Sequence, residues 1–479
     1  GALGTADVTV NGNVDGTLGG VAATEESKIT VNGDVDSDGV GALATDKGEV
    51  VVNGDVKGGE VGVAAEGEST VKVEGDVAGK DGAEQGGYGV VSTENAQVEV
   101  AGDVKGGNAE SDTDQAVGGT GVIAAGESEV TVGGSVQGGD AKNDTVAMAG
   151  DGVGIEATAD VTVKGDVKGG NAASKKQAVA GDGVVVLCLK AQDEEAKQAG
   201  KLVIEGSVSG GQAQGEDAIQ GSALYYFFNQ TQVPEDIIIP KLDSTSGQTL
   251  VDSLDGYLDG LIAYLEEISG ESVSPEDSEA LHQSFTDILV QLVLINHPDA
   301  VIADEQALIS FLDTLPAEER ALYASVFTDA IKAAYDPLVK QINVEILSQY
   351  LRPTVTVHAL KTENGAEAVS SDMGAFMNEL LSAEINYIVR VLPSENGVLT
   401  VDKETAKAGE TITITAKANE GYRVSKVFVN GEALQGKDGV YTFTMPDHGD
   451  VEVSAEFVST QRSEEHTSEL QSPGDLVCR

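Results

Sequence analysis

Seven-residue cores related to V-x-V-x-G-[DNS]-V return eight times in the first 210 residues, and this repetition constrains the fold more than any other feature. They are VTVNGNV at 8–14, ITVNGDV at 29–35, VVVNGDV at 50–56, VKVEGDV at 71–77, VEVAGDV at 98–104, VTVGGSV at 130–136, VTVKGDV at 161–167 and LVIEGSV at 202–208. Their central glycines, Gly12, Gly33, Gly54, Gly75, Gly102, Gly134, Gly165 and Gly206, stand 21, 21, 21, 27, 32, 31 and 41 residues apart. A unit that returns at such a period is one coil of a stacked array. Within a core, alternation puts Val71, Val73 and Val77 on one strand face and Lys72, Glu74 and Asp76 on the other. The glycine falls where the chain bends or approaches another backbone closely.

Softer apolar runs lie between the cores: GVAA at 20–23, GVGALA at 39–44, VGVAA at 61–65, YGVVS at 88–92, GVIAA at 121–125, GVGIEA at 152–157 and GVVVLC at 183–188. Two short strands per unit predict a β-solenoid (β-helix) over residues 1–220, with seven steps of about 4.8 Å spanning roughly 34 Å. Stacked Val and Ala columns explain how a chain with 4% aromatics builds a core, and 45 of its 60 glycines lie in this half. The longer intervals predict loops extruded from the coils, at Gly107 to Gly119 and Gly139 to Gly152. Uneven spacing and Gly-Gly pairs leave an all-β sandwich or extended Gly-rich repeats as the alternative.

Charge narrows the partners. Eighty Asp and Glu against 29 Lys and Arg give −51, which argues against nucleic acid and against electrostatic docking to anionic lipid. Two cysteines, Cys188 and Cys478, make neither a disulfide framework nor a Cys-rich metal site. No apolar run approaches the roughly 20 residues of a membrane span. The chain starts within a repeat, which predicts a fragment. Arg462 to Ser472, RSEEHTSELQS, resembles the translation of a widely used sequencing adapter, so residues 459–479, with His466 and Cys478, are expected to be an artefactual or disordered tail. Without residues 462–479 the acids number 76 and the bases 27, and the charge is still −49.

The candidate sites are few. Asp34, Asp55, Asp76, Asp103 and Asp166 recur after the core glycine, and a repeated acid at a turn reads as a backbone acceptor on a solvated face. Asp34, Asp36 and Asp38 before Gly39 resemble the start of a calcium loop, but Thr45 stands where the bidentate Glu belongs, so only weak calcium binding is expected there. Cys188 reads as a buried small residue. No H-E-x-x-H, G-x-S-x-G or P-loop motif occurs. His282, His297, His358 and His448 are scattered, and Glu266-Glu267 and Glu318-Glu319 read as solubilising helix charge. No catalytic, cofactor-binding or metal residue is assigned.

Beyond residue 220 glycine thins out. Leu224-Tyr225-Tyr226-Phe227-Phe228 reads as a buried junction or cap of the solenoid's open end, or as an exposed carbohydrate platform. Ser274-Pro275-Glu276-Asp277 is a helix start, leading to Leu281, Phe285, Ile288, Leu289 and Leu292. Leu254, Leu258, Leu261 and Leu265 form another stripe, and Leu322, Val326, Phe327, Ala330, Ile331, Tyr335, Leu338 and Val339 a third. These patterns predict a small helical bundle within 221–352, then a junction or partial β-domain at 353–386. From 387 to 458, strands are expected at Ile388–Val391, Val398–Val401, Thr411–Ala416, Val424–Val429, Tyr441–Phe443 and Val451–Phe457. Tyr422, Phe428, Tyr441, Phe443 and Phe457 are the expected core of a small sandwich-like domain.

Two resemblances follow. The V-x-V-x-G-[DNS]-V array resembles the β-helical stalks of bacterial surface proteins and adhesins; pectate-lyase-like enzymes share the form. SENG at 394–397, AGETITITA at 408–416, NEGYRVSKVFVNG at 419–431, YTFTMPD at 441–447 and VEVSAEF at 451–457 resemble the divergent InlB B-repeat-like family. That resemblance implies a secreted or wall-associated bacterial protein in which the domain is a spacer. The expected function is non-enzymatic: extracellular adhesion, scaffolding or display toward host or matrix glycans, proteins or peptidoglycan-associated components. The loops at 107–119, 139–152 and 171–182 are the expected contacts. One alternative is a polysaccharide lyase or hydrolase, which needs acids and bases converging from nonconsecutive coils. The other is a carbohydrate-binding module, which needs Tyr88 exposed together with Tyr225 and Tyr226.

Overall fold

The computed structural model describes residues 1–112, 115–190, 198–228, 242–269, 272–362, 366–446, 449 and 451–460; His448, His466, Cys478 and the tail from 461 lie outside these. The protein is mostly β. Each core opens one turn of a three-sided parallel β-solenoid. In the first coil the strands are Asp7–Val10, Val14–Gly16 and Gly19–Ala23, one to a face. Coils pair in parallel and in register, as Asp7–Val10 does against Lys28–Val31.

The coil therefore has three strands where two were expected. The chain turns a corner at Gly75-Asp76, so Val77 opens a second strand, Val77–Gly79, instead of extending Thr70–Val73. That strand is too short to show an alternation of its own. Val71, Val73 and Val77 nevertheless all point inward, at 0%, 0% and 1% exposure.

The third face is a nine-stranded sheet, one coil more than the eight cores supply. The ninth is built by Thr354–Lys361 and Val369–Ser371, which pair in parallel with Lys201–Ser209 and Leu224–Phe227 of the eighth. Part of 353–386 is thus solenoid, followed by a short helix, Ala375–Ser382. The helical segment interrupts the array between its eighth and ninth coils. At its exit, Tyr350–Leu351 pairs antiparallel with Leu189–Lys190. Arg352 there grips Glu384 in bidentate fashion (2.8 and 2.6 Å) and donates to the carbonyl of Leu347.

Inside, Val35, Val56, Val77, Val104, Val136, Val167 and Val208 form one column under the second face. On the third face, the column Ala23, Ala44, Ala65 enlarges to Ile155, Val186 and Tyr226 in later coils. Leu224, Tyr226 and Phe228 are buried, and Phe228 meets Tyr350 edge-on at 5.2 Å between ring centroids. The aromatic run is thus a buried junction inside the eighth coil, covered by the ninth.

The helices are α1 (Gly247–Ser269), α2 (Pro275–Asn296), α3 (Glu305–Thr314) and α4 (Ala317–Ser348). Ser274 caps α2 by accepting from the Asp277 N–H, and Asp304 caps α3 from the Ala307 N–H. Leu254, Leu258, Leu289, Val293, Leu308, Leu312 and Phe327 share a core separate from that of the solenoid. Leu322 and Val326 are exposed, contrary to expectation, because α4 turns Tyr323, Ala324 and Phe327 inward instead; Ile288 of α2 is exposed too. The side chains of Leu261, Leu265, Ala330, Ile331, Tyr335, Leu338 and Val339 lie outside the described set. Among the described residues, no helix is long and apolar enough to cross a membrane.

The C-terminal strands form two small sheets joined to the solenoid through the strand Asn386–Val391 and an isolated bridge between Ala359 and Gly449. The strand's start pairs in parallel with Thr356 and Val357 of the ninth coil, and its end with Val451–Val453. Of the expected aromatic core Phe443 is buried and Tyr441 packs partly buried against the same cluster, while Tyr422 is 36% exposed; the rest of the core is aliphatic, with Leu399, Ile412, Ile414, Val427, Met445, Val451 and Val453 buried. One continuous hydrophobic cluster runs from Ala2 to Val453.

Candidate functional site

The corner acids are the first group to place. At each corner the side-chain oxygen accepts the backbone N–H of the equivalent residue one coil on. Asp34 N–H donates to Asn13 Oδ1 (3.0 Å), Asp55 to Asp34 (3.0 Å), Asp76 to Asp55 (2.9 Å), Asp103 to Asp76 (2.8 Å) and Ser135 to Asp103 (2.7 Å). The column continues through Ser135 and Asp166 to Ser207. These acids are backbone acceptors, as the repetition suggested, but between coils and not within their own turn. The preceding glycine is required by close approach: a Cβ on Gly54 would lie 2.3 Å from Asp34 Oδ1 and 2.6 Å from the Gly33 carbonyl oxygen.

The calcium candidates do not converge. Asp34 is turned into the corner column, while Asp36 and Asp38 both hold the Lys80 ammonium, at 2.5 and 2.9 Å, from two coils on. Among the described residues, no three His, Cys, Asp or Glu side chains gather as metal ligands.

The long intervals are not free loops. Ala109–Ser111, Ala141–Asn143, Ala172–Ala173 and Ala213–Gln214 stack into one parallel ladder, and Ala116–Val117, Val146–Met148, Gln177–Val179 and Asp217–Ile219 into a second. Together they make a side lobe whose buried apolar residues, among those described, are alanines: Ala109, Ala116, Ala141, Ala147, Ala172, Ala178, Ala180 and Ala213. The residue pattern carries a signal for it, an Ala two residues after Gly106-Gly107, Gly138-Gly139, Gly169-Gly170 and Gly210-Gly211, which loop reasoning passes over. At the neck the chain leaves and re-enters the body, and backbone hydrogen bonds zigzag through Gly87, Gly107, Gly119, Gly139, Gly150, Gly170, Gly181, Gly211 and Gly221 at 2.7–3.2 Å. A Cβ on Gly139 would stand 1.9 Å from the Gly107 carbonyl oxygen.

Where lobe meets body there is a groove of about 530 Å³, lined by Asn108, Asp140, Asn171, Gln212, Gln214 and Lys168 among others. Four of these repeat the corner device: Asp140 N–H donates to Asn108 Oδ1 (2.9 Å), Asn171 to Asp140 (2.7 Å) and Gln212 to Asn171 (3.0 Å). Across the rim, Lys142 pairs with Glu110.

On the body side of the lobe two carboxylates stack on successive coils. Asp182 N–H donates to Asp151 Oδ1 (2.8 Å), and Ser222 N–H to Asp182 Oδ1 (2.6 Å). Burial pushes Asp151 up to about 6, and burial together with the charge of Asp151 pushes Asp182 up to about 7. No basic partner is among the causes, so the pair reads as a structural ladder whose protonation is coupled to stability.

The remaining candidates are dispersed. Cys188 is buried and its thiol is pushed up to about 12 by desolvation. Tyr226 points into the core; Tyr88 lies in the fourth coil and Tyr225 in the eighth, so the three do not share a surface. His282 sits between Asp255 and Asp259 (3.1 and 3.2 Å), His297 contacts Glu319, and His358 is buried in the ninth coil. A second hollow, about 380 Å³, lies where Tyr350, Arg352, Glu384 and Lys407 meet, and the Arg352–Glu384 pair occupies its polar wall.

Among protein families, residues 387–461 match the divergent InlB B-repeat domain. No curated protein and no solved structure matches the chain.

Proposed function

We propose that this chain is a non-enzymatic structural and display module of a bacterial surface protein, with a location outside the cell. The domain matched at 387–461 is of a kind found in bacterial surface proteins. The observation that carries the reading is the shared strand: Asn386–Val391 belongs to the end of the solenoid and to the InlB B-repeat-like domain at once. A spacer domain joined through hydrogen bonds and a common core transmits position stiffly, as a stalk requires. Supporting it, the recurrent polar side chains are engaged in ladders that hold coil to coil, and Arg and Lys are spread among acids instead of gathered over one cleft.

Antibodies raised against the purified chain should label intact, unpermeabilised cells of the source organism, and labelling only after lysis would overturn the location. Incubation of the purified chain with a panel of plant, host and bacterial polysaccharides should release neither reducing ends nor unsaturated sugars. Sustained release of either would replace this reading with the lyase or hydrolase one.

A further inference from the structure

We propose that the groove between the side lobe and the solenoid body binds a linear, uncharged glycan lying along the coil axis. This deepens the display reading and rests on it only for the setting in which such a polymer is met.

Three features select that ligand. The first is shape: about 530 Å³ falls within the size range of ligand sites, and the groove follows the stacking direction of the coils. Its polar groups therefore recur every coil, about 4.8 Å, close to the advance of one ring in an extended β-1,4-linked chain. The second is chemistry. The ladder uses Oδ1 of Asn108 and Asn171 as acceptors for backbone N–H groups, which fixes each amide plane and turns its Nδ2 donors to a defined direction. Asp140 accepts the Asn171 N–H and Nδ2 through Oδ1 alone, leaving Oδ2 as an acceptor edge. Alternating donors and acceptors held rigidly suit vicinal hydroxyls, which both give and receive. The third is charge: Lys142 and Lys168 offset Glu110 and Asp140, so the lining is balanced on a protein of net charge −51. An anionic polymer would meet the field of the whole molecule without a compensating basic surface.

An extended peptide fits less well. Peptides add to exposed strand edges or drop side chains into apolar pockets, and the apolar lining here is alanine only. The lining also contains no aromatic ring, so affinity rests on hydrogen bonds without ring stacking.

The test uses the full chain with cellohexaose and xylohexaose, hexagalacturonate as the anionic arm and an extended decapeptide as the peptide arm. Saturation-transfer NMR and calorimetry should detect at least one neutral hexaose with a dissociation constant on the order of 1 mM or tighter. Lys168→Ala with Gln214→Ala, outside the backbone ladder, should weaken it at least about fivefold, the loss of one or two hydrogen bonds. Lys175→Ala, away from the groove, should leave it unchanged, with melting curves confirming that all variants fold. Binding by neither neutral hexaose, binding only by hexagalacturonate or the peptide, or equal affinity in the double variant would each overturn the proposal. None of these outcomes bears on surface labelling of cells, so the two readings fail separately.

Discussion

Asp182 offers the sharpest test of how the stacked coils are held. Its carboxyl is raised from 3.8 to about 7, and that of Asp151 to about 6. Because the folded values lie above the unfolded ones, both groups favour folding fully below about pH 3.8, and that contribution is lost as pH rises through 6 and 7. At 1.36 kcal/mol per unit the Asp182 shift is worth about 4 kcal/mol. Both side chains are only half-buried by surface area, so solvent trims this, and a range of about 2–4 kcal/mol at pH 8 is the working figure. Asp182→Asn keeps the oxygen that accepts the Ser222 N–H while removing the charge. At pH 8 the variant should therefore be more stable than the parent by that amount, at pH 5 by less than half of it, and below about pH 4 nearly equal to it. Repeat arrays need not unfold in one step, so urea denaturation should be read together with hydrogen exchange of the segments around Asp151 and Asp182. Carboxylates other than Asp151, whose charge is part of the Asp182 shift, move with pH in both proteins and cancel in the difference. An Asp182→Asn gain that is the same at pH 5 and pH 8, or absent at both, would refute the argument that these acids are held protonated by burial.

Three further outcomes follow from the ladders. Gly139→Ala places a methyl against the Gly107 backbone, which has nowhere to retreat. It should cost about 3 kcal/mol or more, seen as lost exchange protection at 109–117 and 141–148 with the first four coils intact. Asp55→Ala removes the acceptor of the Asp76 N–H and should lower stability by about 1 kcal/mol, whereas Asp55→Asn keeps the acceptor, relieves repulsion along the column and should melt at or above the parent temperature in low salt. Millimolar calcium should leave the melting temperature of the parent unchanged because Lys80 already neutralises Asp36 and Asp38; Lys80→Gln should make it calcium-sensitive, and a clear calcium shift in the parent would refute that assignment.

The repeat and its inward valines were legible from residue types, since alternation and glycine spacing survive every insertion. The third strand was not, because Val77–Gly79 and its equivalents carry one inward valine each, too little for a period. The ninth coil was hidden for another reason. Thr354–Lys361 has the alternation of a first face but lacks the Gly-Asp corner, and it arrives after a helical insertion that hides the spacing. The lobe was read as loops because its strands are two or three residues long and its core is alanine, the least hydrophobic of core residues. The corner acids were read by chemistry correctly and by partner incorrectly: a local turn acceptor and an inter-coil acceptor look alike until the coils are stacked.

The stacking of coils is how a chain so poor in aromatics sustains a core that runs from Ala2 into the last coil. Most coils bury mainly small side chains, but each also shares backbone hydrogen bonds with its neighbours along its strands and donates one more backbone N–H to a corner side chain. The net worth of each such bond is about 1 kcal/mol, yet leaving one unmade in a closed stack costs more than it gained, so register errors are penalised coil by coil. Glycine is what permits this: at corner and neck the neighbouring backbone occupies the place of a side chain. The arrangement has an unavoidable weak point at its end, where a coil has no successor to accept its bonds. The eighth and ninth coils meet that need with larger groups, Tyr226, Phe228 and Tyr350, and with Asn386–Val391, whose start pairs onto Thr356 and Val357 of the last coil. The domain matched at 387–461 is therefore continuous with the array: it holds the strand that pairs onto the ninth coil, and separating the two would expose the Thr356–Val357 edge.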